Sequence, residues 1–180
     1  MENTIDEPKT CVIMCGGRGS RINNPEKYLL RLGNETIIGR IIRMVSSLGL
    51  GVHLCTRDGS SIPGIYRGTE LKIIKSSGNG YVSDMNECLN TVSVLPILLI
   101  PGDIVLDSAE TLSFFMKQSS MITRDLVNLV CNGEITGITI FKKLPSLEPL
   151  SYSSVVTDDE IINVNTTADY DRAKKLLEYA

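Results

Sequence analysis

Apolar and polar positions switch between two periods along this chain. Thr10 to Cys15 is a continuous, β-rich apolar run that stops at Gly16-Gly17, which predicts a buried first strand. Further on, Ile37, Ile38, Ile41, Ile42, Val45 and Leu48 recur at the helical period, with Arg40 and Arg43 on the polar side. Asn34 is expected to cap that helix, and Gly49 and Gly51 to end it. Val52 to Thr56 and Leu71 to Lys75 read as strands, separated by a Gly-, Ser- and Pro-rich loop. Ser76 to Gly80 is a turn, followed by a helix with Tyr81, Met85, Cys88, Leu89 and Val92 on one face. Ile97 to Ile100 is apolar throughout, as a strand inside a parallel sheet would be.

The remainder is more mixed. Leu112 to Lys117 reads as helix, and Leu126 to Cys131 and Ile135 to Phe141 flank Asn132-Gly133, a type I′ hairpin signal. Leu144 to Ser154 is Pro- and Ser-rich and reads as loop; Glu160 to Asn165 is a last strand. Thr166 and Asp169 have the spacing of a capping box for a final helix, Ala168 to Glu178. The expected architecture is therefore α/β, a Rossmann-like doubly wound and mostly parallel sheet with one antiparallel hairpin. Residues 10–180 are expected to form one domain, with residues 1–9 a polar, flexible extension.

Composition narrows the function classes. The 180 residues carry a formal net charge of −3 with no basic run, which argues against broad nucleic-acid binding. The first ten residues lack the apolar stretch of a signal peptide, and Val94 to Ile100 is too short to span a bilayer. Five cysteines without a C-x-x-C pair suggest a reducing, cytoplasmic setting and small core residues, with Cys11 and Cys15 on one strand face. One histidine and no ligand cluster disfavour zinc, and His53 reads as structural. The expected state is a monomer or homodimer, the Asn132-Gly133 hairpin offering an edge that can pair.

Four segments carry candidate chemistry. Gly16, Gly17 and Gly19, with Arg18, Ser20 and Arg21, precede Lys27 by a few residues. A glycine-rich turn after a strand lets backbone N–H groups approach phosphate oxygens, and three cations suit a triphosphate. The Walker pattern is absent, and the dinucleotide fingerprint fails at Ile22. The plain alternative is a flexible turn with solvated arginines. Gly78 and Gly80 precede a second helix start whose Asp84, Asn86 and Glu87 are placed to read a base and ribose, or simply to complement the helix dipole. Asp103 follows the buried strand after Pro101-Gly102 and is either a natural Mg²⁺ ligand or a turn aspartate. Asn163 or Asn165 can complete a metal shell, or Asn165 and Thr166 can act as caps.

Taken together, these segments resemble the nucleotidyltransferase superfamily with an N-terminal G-G-x-G-x-R…K signature, matched by Gly16, Gly17, Gly19, Arg21 and Lys27. Within it, the run from Ser77 to Cys88 (S-G-N-G-Y-V-S-D-M-N-E-C) is similar to the corresponding loop of archaeal adenosylcobinamide-phosphate guanylyltransferases. The resemblance extends from about Cys11 to Leu177 and implies a nucleotide-diphospho-sugar transferase-like fold. It implies Mg²⁺-dependent transfer of GMP from GTP to a phosphorylated corrinoid, with release of pyrophosphate. Arg21, Lys27 and Asp103 would be catalytic; Gly16, Gly17, Arg18, Gly19, Ser20, Gly78, Gly80, Asp84, Asn86 and Glu87 would bind the nucleotide. Asp103 and Asn165 would hold the metal. Related transfers to molybdopterin or sugar phosphates, or a non-catalytic nucleotide-binding domain, would use the same loops. The segment Leu126 to Ser154 carries no recognisable motif and is where an acceptor would bind.

Overall fold

The computed structural model describes residues 7–16 and 24–178. Strand β1 (Thr10–Met14) is followed by a 3-10 turn (Lys27–Leu29), β2 (Arg31–Leu32), β3 (Glu35–Thr36), helix α1 (Ile37–Ser47) and β4 (Gly51–Arg57). The single-turn α2 (Ile62–Ile65), β5 (Lys72–Ser76), α3 (Tyr81–Val92) and β6 (Ile97–Pro101) complete the first half. The second half holds β7 (Ile104–Leu106), α4 (Glu110–Ser120), β8 (Leu126–Cys131), β9 (Glu134–Phe141), β10 (Tyr152–Thr157), β11 (Ile161–Asn163) and α5 (Thr167–Glu178).

Seven strands form one sheet in the order β10-β8-β9-β6-β1-β4-β5. Neighbours are parallel except β9, which runs against both β6 and β8. This is the doubly wound, mostly parallel α/β sheet that the sequence predicts, with β6 at its centre and β1 beside it. The apolar run of β1 is continuous because both of its faces are covered. Cys11, Ile13 and Cys15 pack with α1 and with Phe115 of α4, whereas Val12 and Met14 pack with Cys88 and Leu89 of α3. Asn132 and Gly133 both take positive φ (51° and 78°), the backbone the expected hairpin turn requires.

Several local expectations change. Thr36, not Asn34, caps α1, its hydroxyl accepting from Gly39 N–H at 3.0 Å. Asn34 stands instead between the paired strands β2 and β3. Strand β7 and edge strand β10 were not expected, and α4 extends beyond Leu112–Lys117 at both ends. Strand β10 alternates buried and exposed positions around only three large apolar residues, so its period-2 signal is weak. Cys55 and Cys88 are joined in a disulfide that ties β4 to α3, which corrects their reading as free core thiols. Cys11, Cys15 and Cys131 are free and buried, as expected. Pro8 is buried and Lys9 accepts from Gly51 N–H at 2.9 Å, so chain contacts begin before Thr10.

Two devices position the residues that matter. Strands β1 and β6 pair in parallel with Met14 opposite Pro101, so the chain leaves both strands side by side. Gly102 N–H donates to Met14 O at 2.9 Å, and a Cβ at Gly102 would lie 2.8 Å from that same carbonyl. Only glycine permits this approach, and Asp103 follows immediately. Asp103 O then accepts from Val164 N–H at 2.9 Å, next to the antiparallel pairing of β7 with β11, which brings Asn165 alongside. The α5 capping box is present: Asp169 Oδ2 accepts from the N–H groups of Thr166 (2.7 Å) and Asn165 (3.1 Å). Thr166 Oγ1 in turn accepts from Asp169 N–H at 3.1 Å.

Replacing Gly102 with Ala is expected to cost about 1–3 kcal/mol, because backbone must shift to admit the methyl group. A urea midpoint unchanged from wild type would contradict that packing. Asp169→Ala is expected to cost about 1 kcal/mol through the lost cap. Burial opposes ionisation of Asp169, but hydrogen bonds from the Thr166 hydroxyl and the N–H groups of Asn165 and Thr166 outweigh it and hold the carboxyl below its usual range. Its contribution is therefore present above the unfolded value of about 3.9 and is lost as pH falls through the lower folded value. The stability gap between wild type and Asp169→Ala should be full at pH 6 and shrink below about pH 4; a pH-independent gap contradicts the assignment.

Candidate active site at the carboxyl ends of β1 and β6

In an open parallel sheet, ligands bind beyond the carboxyl ends of the strands. At that edge three segments converge on one ammonium group. Lys27 Nζ lies 2.5 Å from Asp103 Oδ2 and 2.6 Å from Asn165 Oδ1. Asn165 Nδ2 donates to Asn163 Oδ1 at 2.9 Å, which turns the amide so that its oxygen faces Lys27. Of the two asparagines, Asn165 is thus the one gathered with Asp103, and Asn163 orients it.

Glu26 pins the turn that carries Lys27. Its carboxylate accepts from Ser61 N–H (2.6 Å), Ser61 Oγ (2.6 Å), Ser60 Oγ (3.3 Å) and the Tyr28 hydroxyl (3.1 Å). Burial works against its charge, yet these donors prevail and hold the carboxyl below its ordinary value. Glu26 is a positioning residue that the sequence reading missed; its only signal there was adjacency to Lys27.

The second loop lies beside Gly16. Asp84 is buried and accepts from Gly78 N–H at 2.8 Å, and its Oδ2 would sit 3.8 Å from a Cβ on Gly16. It therefore holds the Gly78 turn and lies close to Gly16, rather than facing away from the apolar stripe as expected. Glu87 accepts from Ser77 N–H (2.8 Å) and Ser77 Oγ (2.5 Å), so its carboxylate also holds the loop. Asn86 Oδ1 is buried with no hydrogen-bond partner among the described residues. Gly80 takes φ 125° at the start of α3 and offers no side-chain cap, leaving the first N–H groups of that helix for an anion or water. Tyr81, expected on the apolar face, is nearly half exposed there. Desolvation, then the charge of Asp103, pushes its phenol up to about 12, so it stays a hydrogen-bond donor across the physiological range.

Gly17, Arg18, Gly19, Ser20 and Arg21 lie outside the described residues. Cys15, just before them, is no nucleophile: burial and then the charge of Asp103 push its thiol far up. Beside the Lys27 junction opens a cavity of about 380 Å³, lined among others by Asn132 and Ile135 of the β8–β9 hairpin and by Asn163, Asn165 and Arg172. Arg172 pairs with Glu160 at 2.8 Å. The segment Leu126 to Ser154 was the expected acceptor region, but its lining residues could not be named from sequence because the pocket forms only when β8, β9, β11 and α5 meet.

The donor set suits a hard divalent cation. Two oxygens, one carboxylate and one amide, already surround a positive charge. No group of three His, Cys, Asp or Glu side chains that could hold a metal occurs among the described residues. Remaining ligand positions would fall to phosphate and water, which is the habit of Mg²⁺. No helix among the described residues is long and apolar enough to cross a membrane.

The chain is similar to known proteins throughout its length. It is 24% identical over 192 residues to the adenosylcobinamide-phosphate guanylyltransferase of Methanocaldococcus jannaschii, covering 93% of this chain and 96% of that protein. Its fold matches the inositol-1-phosphate CTP transferase of T. maritima with a TM-score of 0.76 at 11% identity, covering 96% of each chain. It also matches Rv0371C of Mycobacterium tuberculosis, solved in complex with manganese, with a TM-score of 0.67 at 16% identity over 94% of this chain and 100% of that one. The family described as the MobA-like NTP transferase domain matches residues 11–160. With loop signature, sheet order and family match in agreement, the chain belongs to the MobA-like NTP transferase family and is a nucleotidyltransferase.

Proposed function

We propose that this enzyme transfers GMP from GTP to adenosylcobinamide phosphate, giving adenosylcobinamide-GDP and pyrophosphate, as a step of cobalamin biosynthesis in the cytoplasm. The observation that carries the transfer chemistry is the convergence of Lys27, Asp103 and Asn165 at the ligand edge of the sheet. The acceptor reading is supported by the Ser77–Cys88 run and by the likeness to the Methanocaldococcus enzyme.

An acceptor phosphate is ionised at neutral pH, so its attack on the α-phosphorus needs no strong base. The barrier lies in bringing two anions together and in stabilising the departing pyrophosphate, tasks for positioning and fixed charge. The backbone of Gly16, Gly17 and Gly19, with Ser20, would line the triphosphate, and Arg18 and Arg21 would neutralise its outer phosphates. Lys27 would hold the α-phosphate or the incoming phosphate. Asp103 and Asn165 would hold Mg²⁺, which supplies charge neutralisation on the phosphate oxygens when bound. Gly78, Gly80 and the start of α3 would receive the base and ribose, with Asn86 Oδ1 as an acceptor and Asp84 and Glu87 keeping the loop in shape.

The 380 Å³ cavity would take the part of the acceptor next to its phosphate. It is too small for a whole corrinoid, so a corrinoid would insert only its phosphate-bearing arm there. The same volume and its asparagine lining favour a second reading, a sugar- or polyol-phosphate acceptor. A non-catalytic domain is disfavoured, because it would have no use for Lys27, Asp103 and Asn165 held together.

Calorimetry with GTP, CTP, UTP and ATP, with and without Mg²⁺, is expected to show selective, Mg²⁺-assisted GTP binding. Preference for another base would overturn guanylyl transfer, and failure to bind any nucleotide would overturn the enzyme reading of the site. Lys27→Ala and Arg21→Ala are each expected to lose on the order of 10²–10³-fold in turnover, and near-normal rates would remove them from the chemistry. Arg172→Ala should raise the acceptor KM while leaving GTP affinity unchanged; an unchanged KM would move the acceptor out of the cavity.

A further inference from the structure

The oxygens assigned above to Mg²⁺ are the same ones that Lys27 holds. Its ammonium sits 2.5 Å from Asp103 Oδ2 and 2.6 Å from Asn165 Oδ1, with the side chains of Lys27 and Asp103 only 14% and 18% exposed. Two cations cannot share that position, and solvent screens charges weakly at such depth. We propose that Lys27 is an internal stand-in for the metal: it neutralises Asp103 until a nucleotide arrives, and then exchanges Asp103 for phosphate. The proposal rests on the reading of Asp103 and Asn165 as metal ligands.

The surroundings allow this exchange by side-chain rotation alone. Four hydrogen bonds to the Glu26 carboxylate fix the backbone of the turn, so Lys27 cannot leave by moving the loop. Its flexible four-carbon stem can swing the ammonium instead. A divalent ion arriving alone would strand that ammonium in a half-buried place without a counter-charge, which is strongly unfavourable. A triphosphate supplies the replacement anion as it delivers the metal. Metal entry is thereby coupled to nucleotide entry, and Asn163, by fixing the Asn165 amide, keeps the Asn165 oxygen ready for either cation.

The test is Mn²⁺ binding, read by electron paramagnetic resonance, with no nucleotide present. Lys27→Met is expected to bind Mn²⁺ at least about tenfold more tightly than wild type, and Asp103→Asn added to it should abolish the site. Equal or weaker binding by Lys27→Met would overturn the exchange while leaving the nucleotidyltransfer reading intact. Absence of Mn²⁺ binding in every form, with or without GTP, would overturn the metal assignment and the exchange together. Should Lys27→Met fail to fold, Lys27→Gln gives the same comparison. In the wild-type chain, the Lys27 ammonium NMR signal should move with Mg²⁺ and GTP but not with Mg²⁺ alone; movement with Mg²⁺ alone contradicts the exchange.

Discussion

One ammonium group organises the functional edge of this molecule. Lys27 follows the first strand, Asp103 follows β6, and Asn165 precedes α5, yet their polar atoms meet within 2.6 Å. Removing the lysine would leave a carboxylate poorly solvated and an amide oxygen unpaired, so the junction is costly to keep without a cation. That constraint explains why the neighbouring structure is so heavily braced. Glu26 anchors the turn under Lys27, Gly102 allows β6 to hug β1, and the capping box fixes Asn165 at the head of α5.

The parallel sheet supplies the geometry and the loops supply the chemistry. Pairing of β1 with β6 sets two strand ends side by side, and their apolar residues only have to cover both faces. The antiparallel β9 then turns the Asn132-Gly133 hairpin toward the same edge, where it walls the cavity next to Lys27. Gly137 marks the tightness of this arrangement: it has φ 87°, and a Cβ there would meet Pro101 Cγ at 2.8 Å. The proposed donor and acceptor sites would thus share one rim, as a transfer between two phosphates requires.

Much of this was legible in the sequence, for identifiable reasons. Strands β1 and β6 are covered on both faces and helix α1 buries one apolar face, so their apolar periods are strong. Asp103 and Asn165 stood out because each lies at the carboxyl end of an expected strand. The three-residue β7 was hidden because it is too short to show a period, and edge strand β10 because it is too polar. Glu26 was passed over because its partners, Ser60 and Ser61, are set by tertiary folding. The pairing of Cys55 with Cys88, 33 residues apart, likewise has no local signature. Asp84 was expected to face the nucleotide, but its burial against Gly16 and Gly78 comes from a loop crossing that spacing does not encode.

The most direct measurement follows the atoms of GTP. The enzyme is incubated with Mg²⁺, adenosylcobinamide phosphate and GTP labelled separately at the α- and γ-phosphates. Attack at the α-phosphorus predicts α-label in the corrinoid product and γ-label in pyrophosphate, with both lost in Asp103→Ala. Release of the γ-label as inorganic phosphate, or α-label that never leaves the free nucleotide pool, would contradict guanylyl transfer to this acceptor.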